Sequence, residues 1–418
     1  MLEIQDISRQ FALLVASESQ QESVVIETVQ RYAWLLLAAT LVGIIVRRFN
    51  IPYAVALVIG GLALEASHLG FIPVLDSEVL LFVFLPPLLF DAAFRIDARE
   101  VRSLYRPILV LAVPGVLFTA LFVGWVLWWL LDLPVATAIL FGTVVAATDP
   151  VAVLSVFKQL KVSHRLSLVA EAESLVNDGM AITLYIVLLD WVVTGRFSAS
   201  ASLATFCLEV AGGVAIGCVI GLASSRLTRS VDEHLVEMLL SVSVAYGSYL
   251  IADRVGASGA LACVAAGFIH GSYGRTIGMS AATRDLLDDL WEFLGFVANA
   301  IVFLLLGVSV HVEDLLENGW SVTVAILAVL LARVLVTAGA GRITPWRHDP
   351  AHTWREAVLL IWGGLRGALT AALVLALPST VPYRDELTAM AFGVVLFTLV
   401  VQGLTLPTLV HRLHLGRQ

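Results

Sequence analysis

Charge is what this chain has least of. Asp, Glu, Lys and Arg make up only 14% of its 418 residues, against 59% hydrophobic residues, whereas a soluble domain carries about 25% charged residues. So sparse a supply cannot coat a water-facing surface, and the chain reads as an all-α polytopic membrane protein. The same scarcity excludes a nucleic-acid partner, because a formal net charge of -8 leaves no basic excess to neutralise phosphates. Cysteine is scarcer still. Cys207, Cys218 and Cys263 are odd in number and lie in apolar runs, so they read as small packing residues and offer neither a disulfide framework nor a metal site. Also missing is a basic start followed by an apolar stretch, so the first residues do not resemble a secretory signal; residues 1–31 read as an extramembrane leader, amphipathic or disordered. Only a few residues follow His411, and no cytoplasmic regulatory domain is expected in this chain.

What is present is a succession of apolar runs of roughly 17–25 residues separated by charges or turn residues, which segments into about thirteen spans. Lys and Arg alternate with them. The segments on one side hold most of these residues, while the other side holds only Arg9, Arg31, Arg196, Arg254 and Arg384. The positive-inside rule then sets the N-terminus outside and the C-terminus in the cytoplasm. The polar stretch from Gly271 to Leu290 reads as an interfacial linker helix between two halves.

Against that background Glu171, Glu173, Asn177 and Asp178 stand out, since all four fall in one apolar span, residues 165–193. An ionisable group at the bilayer centre costs about 2.5–3.5 kcal/mol on insertion scales, and is kept where it moves or binds something charged. Glu171 also fits a simpler role as a charge near the inner surface. In the fifth span, residues 134–157, Thr148-Asp149-Pro150 places a carboxylate and a proline near mid-membrane. The proline removes a backbone donor and pushes Asp149 out of the helical region, predicting a broken helix. In the twelfth span, residues 355–378, Gly363-Gly364-Leu365-Arg366-Gly367 surrounds an arginine with glycines and predicts a second unwound crossing. The two spans run through the membrane in opposite directions, as an inverted repeat of broken helices requires.

Helical rise gives the depths. From the centres of their spans, Asp178 falls within about 2 Å of the midplane, Asp149 about 5 Å, and Ser174 and Asp91 about 8 Å toward the cytoplasm. Oxygen-bearing side chains from three helices thus share a level that suits a hard monovalent cation or, in its place, a proton. By the same count Glu173 lies about 9 Å and Arg333 about 6 Å inward, which predicts a buried ion pair between them, with snorkelling of Arg333 to the inner surface as the competing reading. Arg366 sits at the midplane, where two roles fit it: holding the negative half-helix end, or restraining Asp178 or Asn177.

Four motifs carry a resemblance: Phe84-Leu85-Pro86-Pro87-Leu88-Leu89-Phe90-Asp91, Thr148-Asp149-Pro150, Glu173-Ser174-Leu175-Val176-Asn177-Asp178-Gly179 and Gly364-Leu365-Arg366-Gly367. Together, and in this order along nearly the whole chain, they resemble the NhaP/NHE branch of monovalent cation:proton antiporters. Ala172 departs from the glycine usual between the two glutamates. The resemblance implies thirteen helices of the NhaA/NhaP-like transporter fold, with inverted repeats and two broken crossing helices, in the plasma (inner) membrane of a prokaryote. It implies a homodimer in which residues 32–106 and 235–309 form a dimerisation bundle, residues 107–193 and 310–418 a core transport bundle that moves like an elevator, and residues 194–234 a connecting helix. It also implies cation coordination by Asp178, Asp149, Ser174, the Thr148 backbone and Asp91, supported by Asn177, Arg366 and the Glu173–Arg333 pair. Asn177 before Asp178 resembles the electroneutral members, implying one Na+ (or Li+) for one H+ with no cofactor beyond the transported ions.

Three other readings remain at this stage. A potassium/proton antiporter would use the same residues, since cavity size decides among alkali cations. A cation channel also needs intramembrane carboxylates, though not paired broken helices. Gly256-Ala257-Ser258-Gly259 matches the short serine motif of rhomboid-like intramembrane proteases, with His311 as a partner on another helix, but the motif is common by chance, thirteen spans exceed that fold, and helix packing by small residues explains it.

Overall fold

Prolines, serines and short polar breaks fix where the helices of this chain begin and end. The computed structural model describes residue 30 and residues 33–46, 52–67, 79–230, 233–343 and 350–416; apart from residue 30, the expected leader over 1–31 lies outside the described residues. All regular structure among them is helical. The helices are α1 (Ala33–Val46), α2 (Tyr53–Ala66), α3 (Leu85–Arg95, entered through a π-helical turn Leu80–Phe84), α4 (Ala98–Leu131), α5 (Val135–Val144), α6 (Val151–Gln159), α7 (His164–Thr194) and α8 (Ala199–Thr228). There follow α9 (His234–Arg254), α10 (Gly259–Ile269), α11 (Ala281–Val308), α12 (Val312–Glu317), α13 (Gly319–Ile343), α14 (Pro350–Trp362) and α15 (Ala368–Leu375). The last is α16 (Arg384–Leu413), which passes through a π-helical turn at Thr398–Gln402. Seven of these helices are long and apolar enough to cross a membrane unaided: α4, α7, α8, α9, α11, α13 and α16.

Caps explain the boundaries. Pro52 and Pro134 stand immediately before α2 and α5, where a missing N–H costs nothing. The side chains of Ser198, Ser258 and Ser280 accept from the backbone at the starts of α8, α10 and α11, and Gly195 closes α7 at φ 66°, a left-handed value that glycine takes without strain. Two helices differ from the sequence reading. The fourth begins at Ala98, capped by Asp97, so Arg99, Arg102 and Arg106 belong to the helix rather than to a loop before it. α11 begins at Ala281, and Arg284, Asp285, Asp288 and Asp289 form its first turns, not a separate linker helix. Segmentation by hydropathy stops a helix where charge appears, but a helix end outside the apolar layer tolerates charge freely.

The helices pack as two sets. In one, α8, α9 and α10 lie together and α10 meets α3, while α11 packs on α2 and α3; in the other, α4 packs on α5, α7 and α13, and α13 on α16. The first set is held by close backbone approaches: a Cβ at Gly61 would overlap the Leu304 carbonyl on α11, and one at Gly217 would overlap the Ala262 carbonyl on α10. Between the sets α7 lies on α10, with the Leu261 side chain filling the space a Cβ at Gly179 would take. There the Gly256-Ala257-Ser258-Gly259 motif finds its use. The Ser258 hydroxyl accepts from Leu261 N at 3.3 Å and is 2.9 Å from the Thr183 hydroxyl, whereas His311 faces Glu65 at 3.6 Å. Those contacts make a helix cap, not a serine–histidine pair.

One ion pair ties three helices of the second set. Arg333 on α13 grips Glu173 on α7 with both terminal nitrogens, Nη2 to Oε2 at 3.1 Å and Nη1 to Oε1 closer still. Its Nε and Nη2 also donate to the Leu360 carbonyl on α14 at 3.2 Å. Gly364 makes room for it, since a Cβ there would stand 2.7 Å from Arg333 Nε. With Glu173 1% and Arg333 8% exposed, losing either partner strands a buried charge, at a cost of about 3–5 kcal/mol. Glu173→Leu and Arg333→Met are each expected to lower the apparent melting temperature in detergent sharply, and the double replacement to recover most of the loss. Additive single effects in that cycle would show that the two side chains do not act as a pair.

Candidate functional site

Both predicted helix breaks are present, and they lie against each other. α5 ends at Val144 and α6 starts at Val151, leaving Val145–Pro150 unwound; α14 ends at Trp362 and α15 starts at Ala368. The strands touch where Asp149 N donates to the Leu365 carbonyl at 2.8 Å. Each break exposes one half-helix end with free carbonyls and another with free N–H groups, partly negative and partly positive respectively.

Two side chains meet those ends. Arg366, 1% exposed, donates from Nη1 to the Ala146 and Ala147 carbonyls at 2.8 and 2.9 Å, next to the C-terminal end of α5. Of the two roles open to it in the sequence, this is the first; Asp178 and Asn177 make no hydrogen bond to it among the described contacts. The Asp149 carboxylate answers the opposite ends, accepting from Val151 N at 2.9 Å at the start of α6 and lying against Gly367, the residue that precedes α15. A Cβ at Gly367 would overlap that carboxylate, so the glycine is needed for the approach. A single aspartate therefore sits on two helix N-termini.

Thr148 is the hub of the remaining contacts. Its carbonyl accepts a hydrogen bond from the Ser174 hydroxyl, and its own hydroxyl lies 3.3 Å from Ser174 Oγ and accepts from Asn177 Nδ2 at 3.0 Å. Asp178 Oδ1 and Asn177 Oδ1 are buried without a hydrogen-bond partner among the described residues. An oxygen left bare in this way, beside a second carboxylate, hydroxyls and a backbone carbonyl, is a set that accepts a hard cation or a proton.

The set is reached through a cavity of ≈ 740 Å³, whose walls include Asp149, Ser174 and Asp178 in its depth and Lys158, Lys161 and His164 near the helix ends. Part of its wall is apolar, made by Leu80, Val302, Ala368 and Ala372. Glu171 and Asp91 line the same cavity. The structure brings Asp178, Asp149, Ser174, Thr148 and Asn177 together, but it engages Asp91 elsewhere: Arg95, one turn on, donates from Nε to Asp91 Oδ1 at 2.6 Å and lies 3.5 Å from Glu292. Asp91 also faces Gly295 on α11, where a Cβ would be 2.7 Å from its Oδ2. The i, i+4 spacing of Asp91 and Arg95 was readable in the sequence and signals this pair. The sequence reading did not pick out Arg95 or Glu292.

Comparison with known proteins places the chain. Residues 36–412 match the profile of the family described as "Sodium/hydrogen exchanger, transmembrane". The Na(+)/H(+) antiporter ApNhaP of Aphanothece halophytica is 39% identical over 367 residues, covering 88% of this chain and 70% of the relative. The Na(+)/H(+) antiporter NhaH of Halobacillus dabanensis is 37% identical over 396 residues, covering 91% and 96%. Among solved structures, the sodium proton antiporter MjNhaP1 from Methanocaldococcus jannaschii at pH 8 superposes with a TM-score of 0.77 at 19% identity, over 94% of this chain and 100% of that one, a likeness of fold. By profile and by identity over most of its length, this chain belongs to the sodium/hydrogen exchanger family.

Proposed function

We propose that this chain is an electroneutral antiporter that exchanges one sodium ion for one proton across the plasma membrane of a prokaryote, both competing for Asp178 and Asp149. The observation that carries the reading is the bare Asp178 carboxylate oxygen deep in a cavity, facing an unwound crossing that supplies Asp149 and the Thr148 carbonyl. Sodium is coordinated by Asp178, Asp149, Ser174 and the Thr148 carbonyl; a proton on either carboxylate removes the charge that holds the metal ion, so the two cannot bind together. Asn177 adds an oxygen but no charge, which supports exchange of one for one. Asp91, held by Arg95 in this state, guards the approach. The relatives above are named for sodium, which favours sodium over potassium.

The transport cycle alternates access. With the N-terminus outside and thirteen crossings, the mouth near Lys158, Lys161 and His164 faces the cytoplasm. The set of α4–α7 and α13–α16 is the moving transport body, and the set built on α2, α3 and α8–α11 is the frame through which a homodimer forms.

In liposomes carrying a pH-sensitive dye, a sodium gradient is expected to drive proton movement that is unchanged when the membrane potential is clamped. Asp178→Asn and Asp149→Asn are expected to abolish it while remaining monodisperse; full exchange by Asp178→Asn would refute the site. Acidifying the cavity side is expected to raise the half-saturating sodium concentration in proportion to proton concentration, leaving the maximal rate unchanged, as competition requires. Gly367→Ala is expected to weaken sodium binding, because the added methyl pushes the Asp149 carboxylate off the start of α15.

A further inference from the structure

Arg366 can hold the Ala146 and Ala147 carbonyls only if the unwound strand that carries it is itself fixed, and glycine at 363, 364 and 367 leaves that strand little conformational preference of its own. One edge of the strand is held by Asp149 N on the Leu365 carbonyl. At Arg366 the holding group is a side chain, Thr398, on α16. Arg366 N donates to Thr398 Oγ1 at 3.1 Å, and the same hydroxyl lies 3.3 Å from the Arg366 carbonyl and 3.0 Å from that of Val395. Thr398 is 2% exposed, so bulk water does not reach the Arg366 N–H it accepts from. It is the first residue of the π-helical turn Thr398–Gln402, a geometry that interrupts an α-helix at a cost and gathers at functional positions.

We infer that Thr398 is a positioning residue of the cation site. By accepting from the Arg366 backbone N–H while donating within its own helix to Val395 it aims the guanidinium at the Ala146 and Ala147 carbonyls, and through that stretch of chain it sets the direction of the adjacent Thr148 carbonyl toward the ion. The role rests on the sodium/proton reading above. It differs from a packing role in requiring the hydroxyl: valine has the same shape but leaves Arg366 N–H buried without an acceptor.

The test is the initial rate of sodium-driven proton movement in liposomes as a function of sodium, for the wild type, Thr398→Val and Thr398→Ser. Thr398→Val is expected to raise the half-saturating sodium concentration about tenfold with a maximal rate close to wild type, and Thr398→Ser to restore the wild-type value. Unchanged half-saturation in Thr398→Val, a loss of maximal rate alone, or an equal defect in Thr398→Ser would each overturn the inference. If Thr398→Val is not monodisperse, Thr398→Ala is read in the same way. A wild type that moves no protons overturns the exchange reading and this one with it; an active wild type with an unaffected Thr398→Val overturns this one alone.

Discussion

A peptide group that leaves a helix inside a bilayer gives up its hydrogen bond and finds no water to replace it, so an unwound segment at that depth survives only where protein supplies every partner. This chain has two such segments, and each serves the other: Asp149 N bonds the Leu365 carbonyl, Arg366 from the second strand meets carbonyls of the first, and the Asp149 carboxylate from the first lies against Gly367 at the end of the second. Remove one break and the other loses its partners. The helices around them, α4, α7, α13 and α16, form the protein wall that keeps lipid away from this exchange of hydrogen bonds.

The proposed cation site grows from the same requirement. Once the α5–α6 strand is unwound, the Thr148 carbonyl is free of any helix ladder, and it is held by Ser174 one turn before Asp178 on α7. On the proposed function Asp149 has two duties, lying against two helix N-termini and offering oxygen to the ion. That double use makes the ion part of the electrostatics of the fold: what binds at the site changes the charge that the two half-helices meet. The Glu173–Arg333 pair sits on the neighbouring face of α7, tying that helix to α13 and α14 without facing the ion.

Much of this could be read in the sequence because the costs are local. Proline after aspartate, and three glycines about an arginine, break a helix wherever they stand, so Asp149 and Arg366 were visible as the centres of the crossings. Depth along an ideal helix was enough to match Glu173 with Arg333. What escaped depended on rotation about helix axes or on backbone groups. Asp91 lies at a suitable depth, yet its carboxylate is taken by Arg95 on its own helix. Thr398 is one hydroxyl residue in an apolar span, with nothing around it in sequence to mark the strand it meets. The starts of α4 and α11 were missed because charge ends a hydropathy window without ending a helix.

The cavity has an electrical consequence. A space of ≈ 740 Å³ lined by Lys158, Lys161 and His164 and reaching Asp178 admits water and its ions, and water conducts. The potential of the compartment it opens on is therefore carried inward nearly to the carboxylates. On the proposed function, most of the transmembrane voltage, worth about 2.3 kcal/mol per elementary charge at 100 mV, then falls across the protein on the far side of that water. An ion travelling from the mouth to the site crosses little of that field, and its affinity from this side is set by chemistry rather than by voltage.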